Sequence, residues 1–356
     1  MELGSEFCRG VAGRDPLGAD AVLARLPELN ARGDVAALGR ELGALVAGCP
    51  PGRWVDTGDR LAVVRDLGMF LGSLRRHGVE PLDAVPGAEP VLLELGASVG
   101  MVPRDTVLHY GAWNPAGRRR RMFTGAAEEG VLIDAVRASA PAVERAALVL
   151  AGLSGLKPDE PAFADGCEDA ARQLALLPEV AARVTRSVDP AGFFMARLRP
   201  YMEDVRVGGR RYFGPAAAHV PLYLVDHLLW SGDRPDPEHL SLQEELTGYG
   251  LPGWAALYRE RAGLPSVATV LARALDEAGP RPGPDLRRTA EAVAGLLRSL
   301  LAFRGRHLRL VRRAYTEEAG YGAGSAGAAP ETVRLVLELT RQRARQVRDR
   351  AGDPTR

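Results

Sequence analysis

Six histidines carry most of the chemistry available to this 356-residue chain, and one has a distinctive setting. His307 lies within LLRSLLAFRGRHLRLVRRAYTEEAGYGAGSAG, residues 296–327. Leu300, Phe303, Leu310, Val311 and Ala314 share its face of a 3.6-residue helix, whereas Arg298, Arg306, Arg309, Arg312 and Arg313 fall on the other side. A buried imidazole needs a partner for at least one ring nitrogen. Two roles fit the stripe: a hydrogen-bonded core histidine, or an axial ligand to haem iron whose flat apolar ring lies against the helix. The segment that follows sets Gly320, Gly322, Gly324 and Gly327 around Tyr321 and Ser325. It reads either as a flexible connection or as a loop whose backbone can approach a ligand closely.

The other histidines divide into three groups. His109, in DTVLHYGAWNP, has Leu108, Tyr110 and Trp113 around it. It is either the hydrogen-bonded member of an aromatic cluster or a base or donor above a cofactor. His219 and His227, in FGPAAAHVPLYLVDHLLW, are two helical turns apart with Tyr223 between them, too far for a close two-histidine metal pair. The expected role of His227 is structural, bonded to a backbone or carboxylate acceptor. The small residues Gly214, Ala216, Ala217 and Ala218 allow the start of that segment to pack against a flat ligand. His77 and His239 stand in polar surroundings near chain breaks and are expected at the surface.

Other chemistries find no template. There is no GxGxxG after a strand, no GxxxxGK[ST], no GxSxG and no HExxH, and Ser325 lacks the strand–turn–helix context of a nucleophile elbow. Cys8, Cys49 and Cys167 form neither CxxC nor CxxCH, which argues against a zinc ribbon, a c-type haem attachment and a disulfide framework. Basic and acidic residues balance at 46 and 45, so bulk charge does not point to nucleic acid. Lys157 is the single lysine, as expected of a GC-rich coding sequence.

The elements that must position these residues read as helices. Amphipathic patterns cover 19–30, 34–47, 59–76, 128–153, 163–184, 215–230, 242–261, 267–278, 286–315 and 331–350, with Pro141 expected to kink or break the fourth. Pro103 marks a helix start over 105–113. The run Arg118–Arg121 reads as a solvated turn. DVRVGGRRYF, residues 204–213, is the one hairpin signal, two β-like runs flanking Gly208-Gly209. The expected fold class is all-α with one small β-hairpin. Residues 1–18 are set aside as disordered or a cloning scar, which Gly4-Ser5-Glu6-Phe7 resembles. Residues 19–100 form an N-terminal helical region and 101–356 a helical catalytic domain. No apolar run reaches membrane-spanning length and no secretory leader is evident, so a cytoplasmic location is expected.

Five segments together carry a family resemblance: DLGMFLGSLRRHGVEP (66–81), LHYGAWNP (108–115), FADGCE (163–168), the long block 198–230, and RGRHLRLVRRAY (304–315). They resemble the monodechloroaminopyrrolnitrin synthases, within the haem-dependent aromatic oxygenase superfamily that also holds tryptophan and indoleamine 2,3-dioxygenases and bacterial haem-dependent tyrosine hydroxylases. The resemblance spans roughly residues 20–350. It implies a helical fold binding haem b through the iron ligand His307, with an aromatic amino acid on the distal side. By this likeness Phe303, Arg304, Val311, Gly214, Ala217 and Ala218 line the cofactor. Tyr315, Tyr321, Gly324 and Ser325 meet the substrate, and His109 and Ser325 serve catalysis. One hydroxylase of the superfamily attaches its haem through a cysteine four residues after a histidine; Val311 stands at that place here, so no covalent link is expected.

The expected function is oxidation or rearrangement of tryptophan or a substituted, chlorinated tryptophan in specialised-metabolite biosynthesis, with dioxygen or hydrogen peroxide as oxidant. Arg304, Arg306, Arg118 and Arg211 are candidates for holding haem propionates or the substrate carboxylate. The alternatives are a peroxide-dependent tyrosine or methyltyrosine 3-hydroxylase and, in another class, a non-catalytic helical haem-binding protein. A homodimer is an admissible assembly; neither nucleic acid nor a membrane is an expected partner.

Overall fold

A computed structural model of the protein describes residues 2–216, 219–315 and 330–351. Helices α1 (Ser5–Gly13), α2 (Asp20–Ala24), α3 (Leu26–Arg32), α4 (Val35–Ala47), α5 (Thr57–Arg76), α6 (Pro81–Ala84) and α7 (Ala88–Val99) lead into a π-helical turn, Leu108–Ala112. Helices α8 (Ala127–Gly152), α9 (Pro161–Leu174) and α10 (Leu176–Ser187) precede a second π segment, Pro190–Leu198, and a 3₁₀ turn, Arg199–Met202. A hairpin follows, β1 (Val205–Val207) and β2 (Arg210–Tyr212). Then α11 (Leu222–Asp226) runs into a third π segment, His227–Ser231. The described chain closes with α12 (Pro237–Thr247), α13 (Pro252–Arg261), α14 (Val267–Ala278), α15 (Pro284–Ala314) and α16 (Pro330–Ala351). The fold is all-α with one small hairpin, as the periodicity indicates. The hairpin pairs Val205 with Tyr212 and Val207 with Arg210, and Gly208 and Gly209 both take positive φ, the backbone a two-residue turn of this hand requires.

The departures from the sequence pattern are mostly made by proline. The stretch 163–184 is two helices, because Pro178 suits the first turn of α10 and not the middle of a longer helix. The stretch 242–261 divides before Pro252, and the helix expected from Pro215 begins only at Leu222, after Pro221. Pro141 is the opposite case: α8 runs through it unbroken for 26 residues. Its buried face, with Ala140, Val143, Ala146 and Ala147, packs against α9 and α10 and offsets a cost of roughly 3 kcal/mol. Residues 1–18, set aside above, contain helix α1, with Leu3 and Val11 buried and the Leu3 amide donating to Glu144 Oε2 at 2.6 Å.

Two apolar cores meet at α5. One gathers α2–α7 with Tyr110, Phe123, Ile133 and the segment from Val188 to Val207. The other gathers α8, α9 and α11–α15 with α1 and Trp113. Helix α5 is buried on all sides from Leu61 to Leu74, the pattern of a central helix. Its Arg65 and Asp66 are therefore interior charges. Asp66 accepts from both Arg65 and Arg121, and Arg65 also donates to the carbonyls of Val11, Trp113 and Arg14. Arg121 is 1% exposed, so the Arg118–Arg121 run is not a solvated turn: Arg119 and Arg121 pair with Asp20 and Arg120 with Asp134. Interior carboxylates recruit these guanidiniums because an unpaired buried charge is costly.

Close packing at α5 has a measurable consequence. A Cβ on Gly72 would stand 2.6 Å from the Tyr201 carbonyl oxygen and 2.9 Å from the Phe123 ring. Gly72→Ala should lower stability by about 1–3 kcal/mol, the usual cost of overpacking, although alanine is the better helix former. Urea unfolding of the two proteins checks this; an unchanged or raised midpoint would refute the packing at this crossing.

Candidate active site

The face of α15 that carries His307 is set by polar bonds on either side of it. One turn earlier, Arg304 is 4% exposed and donates to Asp226 of α11 and to Thr340 of α16. Asp226 accepts from Trp230 Nε1 at 2.8 Å, and His239 Nε2 lies 3.8 Å from its other oxygen. The His239 ring stacks flat on Trp230, with centroids 5.1 Å apart. On the neighbouring side, Arg306 donates to the carbonyl of Pro178 in α10. Five elements thus hold one turn of α15 in register.

His307 itself is half-buried, with the Phe303 ring nearly parallel to it at 5.8 Å. Surrounding protein desolvates the imidazole and, with the Arg304 charge as a smaller cause, lowers its pKa from 6.5. At neutral pH the ring is uncharged and offers a nitrogen lone pair, the form that ligates a metal. Phe303, Leu310 and Val311 are half-buried and Ala314 is buried, so the apolar stripe read from spacing is one surface. The Tyr315 hydroxyl hydrogen-bonds Arg199; burial raises its pKa and Arg199 opposes that rise. Arg199 is 6% exposed and donates also to the Met202 carbonyl and to Glu203.

His109 sits in the first π turn, 1% exposed, edge-on to Trp113. The Thr106 amide donates to its Nδ1 at 3.0 Å, which assigns the proton to Nε2. That Nε2 meets no protein partner. Burial, then Arg65 and Arg104, push its pKa down to about 3. His219 is fully buried and stacks on Tyr249 at 4.3 Å; neither ring nitrogen has a partner among the described residues, and burial with Arg104 lowers its pKa to about 3. His227 is held by the backbone of Arg261, as expected of a structural histidine. His239 is 2% exposed, not the surface residue its polar neighbours imply; Trp230 and Asp226 draw it inside.

The remaining sequence candidates separate. Gly214 packs so closely on the Met202 backbone that a Cβ would meet its carbonyl oxygen at 2.3 Å. Ala217, Ala218, Tyr321, Gly324 and Ser325 lie outside the described residues. Arg304 and Arg306 spend donors on protein acceptors, and Arg118 and Arg211 are exposed. Arg199, which no spacing rule singles out, is the arginine the structure joins to Tyr315. Its only signal was membership of the 198–230 block. Among the described residues no cluster of three or more His, Cys, Asp or Glu could hold a metal ion, so a metal at His307 would need other ligands, as the four nitrogens of a porphyrin supply. A lone neutral imidazole on an apolar face fits that group.

A protein-family model described as monodechloroaminopyrrolnitrin synthase PrnB matches residues 56–350. The chain belongs to this family. Its enzymes are of the oxygenase type, act on a tryptophan-derived substrate and serve antibiotic biosynthesis. The match takes in α5, both histidines of the 219–227 segment and the whole of α15. Among the described residues no helix is long and apolar enough to cross a membrane.

The buried histidines impose a pH dependence on folding. His109 and His219 have folded-state pKa values near 3, below the ordinary 6.5, so the unfolded chain binds more protons between those values. The stability they permit is complete above pH 6.5 and is lost as pH falls towards 3. Each contributes a slope of about 1.4 kcal/mol per pH unit in that window. Urea unfolding at intervals from pH 7.5 to 4.5 should show His219→Gln with the shallower slope; equal slopes would contradict a neutral, desolvated His219.

Proposed function

We propose that the protein is a haem-dependent enzyme that oxidises or rearranges tryptophan or a substituted, chlorinated tryptophan, with iron bound through His307. The observation that carries this reading is the neutral imidazole of His307 on the apolar face of α15, with Phe303 stacked beside it and the helix pinned by Arg304 and Asp226. Membership of a family acting on tryptophan-derived substrates supports the choice of an indole. Haem, when bound, supplies the activation of dioxygen or peroxide. The chain's own residues do the rest. His307 presents its lone pair; Phe303, Leu310, Val311 and Ala314 exclude water from that face. Arg199 holds the Tyr315 hydroxyl at the end of α15.

His109 takes the distal role. With Nδ1 engaged by Thr106 and a pKa of about 3, it works at neutral pH as an uncharged Nε2–H donor and not as an imidazolium acid. Ala217, Ala218, Tyr321, Gly324 and Ser325 complete the pocket in this reading, Ser325 beside the substrate. The protein works on a free aromatic amino acid in the cytoplasm.

The test is spectroscopic. Purified protein reconstituted with haem should show a Soret band. That band should shift on adding L-tryptophan or 7-chloro-L-tryptophan and stay still with L-tyrosine. His307→Ala should lose stoichiometric haem, and full retention would remove His307 as the ligand. His109→Ala should keep haem and lose turnover on the order of 10²-fold. A shift with tyrosine alone would favour a phenol hydroxylase, and no Soret band in the wild type would overturn the reading.

A further inference from the structure

Four buried side chains between the third π segment and the interior have polar atoms that no group among the described residues satisfies. They are His227 Nε2, Tyr258 Oη, Tyr223 Oη and both ring nitrogens of His219, on residues 0–5% exposed. Buried polar atoms are rarely left unpaired, and four in sequence call for a common cause. His227, Tyr258 and Tyr223 adjoin one another, and Tyr223 and His219 each pack on the Tyr249–Gly250 pair. The Tyr258 ring lies 4.2 Å from that of His227 and 6.2 Å from that of Tyr223. The Tyr223 hydroxyl lies against Gly250, 3.3 Å from where a Cβ would stand. Gly250 follows Tyr249, which stacks on His219. Arg104, which donates to the Tyr212 carbonyl one residue before Phe213, acts by its charge on both His219 and His109.

The outer end of the series opens outward. His227 lines a cleft of about 270 Å³ with Ser154, Phe163, Arg261, Ser266 and Val270. That volume is below the range of roughly 300–1,000 Å³ that small-molecule sites occupy, and ample for several waters. The cleft therefore suits entry of water better than binding of an amino acid.

We propose that His227, Tyr258, Tyr223 and His219 line a file of bound water that exchanges protons between this cleft and the interior beside Arg104. The number of fixed nitrogens assigns the parts. His227 donates Nδ1–H to the Arg261 backbone, so only its Nε2 lone pair is free, and it orients the first water without relaying through its ring. Each phenol both donates and accepts, so it takes one proton and releases another without changing charge. His219, with both nitrogens free, can receive at one and release at the other. A proton entering the file is matched by one leaving it, so every side chain keeps its charge; His219 is left as its other tautomer and the hydroxyls turned, and exchange in the reverse direction restores both.

The use of this path rests on the oxidation chemistry proposed above; the file itself does not require it. The experiment has two arms. A high-resolution crystal structure of the full chain, with or without haem, should show ordered waters within about 2.6–3.2 Å of Tyr258 Oη, Tyr223 Oη, His227 Nε2 and a His219 nitrogen. A dry path would overturn the proposal whether or not the protein binds haem. With haem-loaded enzyme, Tyr223→Phe and Tyr258→Phe should keep the Soret band, lower kcat by about tenfold or more at little changed KM, and enlarge the solvent deuterium isotope effect. Unchanged kcat and isotope effect in both variants would reduce the waters to structural filling and refute the relay. Loss of the Soret band in the wild type would instead sink the haem reading and leave the crystallographic arm standing.

Discussion

The Asp226–Arg304 pair is the constraint on which the site depends. Both side chains are at most 5% exposed, and they join α11 to α15 at a point one turn from His307. A buried pair is not a cheap source of stability; desolvating two ions costs several kcal/mol each. What it supplies is register. Arg304 has one geometry in which it reaches Asp226 and Thr340 together, and that geometry fixes the rotation of α15 and the distance to α16. Trp230 donates to the other carboxylate oxygen and His239 lies close by, so the pair is embedded in a network and not isolated. A slip of α15 by one residue would rotate His307 about 100° away from its apolar face.

A second set of interior charges does the same work for the other half of the molecule. Asp66 in the buried stretch of α5 gathers Arg65 and Arg121, and Arg65 reaches three backbone carbonyls from two chain segments, the end of α1 and Trp113. Glu129 collects the amides of Phe123 and Thr124 and the Tyr110 hydroxyl. Asn114 bonds the backbone of Tyr110 and, in both directions, that of Arg121. The π turn that carries His109 lies between these clusters, its Gly111 pressed against Val136 of α8 so closely that a Cβ would stand 2.4 Å away. Its orientation is thus imposed from outside, which lets the turn keep a wider helical geometry than its own residues would choose.

Periodicity reads what repeats, and long helices repeat. Helix α14 and the long α15 were legible because apolar residues recur at helical spacing between clear breakers. Short elements around 215–231 were not, since Pro215 and Pro221 fit either a helix start or a loop until packing decides. The stripe around His307 was legible for the same reason that α15 was. The interior arginines were not: Arg121 stands in a run of four like residues, and nothing local distinguishes the one that meets Asp66 from the three that do not. His239 misled for a related reason, because polar neighbours in sequence say little about a ring that stacks on Trp230. Partners distant in sequence, such as Arg304 and Asp226 or Tyr315 and Arg199, leave no mark in spacing at all.

All six histidines have pKa values lowered by burial, and five of them, His109, His219, His227, His239 and His307, share one physical state, an uncharged ring, yet differ in how the protein holds them. What separates them is how many ring nitrogens the protein holds. His227 has one nitrogen on a backbone carbonyl, and His109 has one on a backbone amide, so each has a fixed tautomer and one defined face left to offer: a lone pair in the first case, an N–H in the second. His239 is held by the indole stacked on it, with Nε2 facing the Asp226 carboxylate at 3.8 Å, which suits a residue that packs around Asp226. His219 has neither nitrogen held among the described residues, and Tyr249 stacks against its face. A fixed tautomer is needed where a ring must always present the same atom, and a free one where a proton must pass through. The same distinction explains why desolvation is tolerated so often in one small protein: a neutral imidazole costs little to bury compared with any charged group, and two nitrogens with separable fates let it either point or transmit.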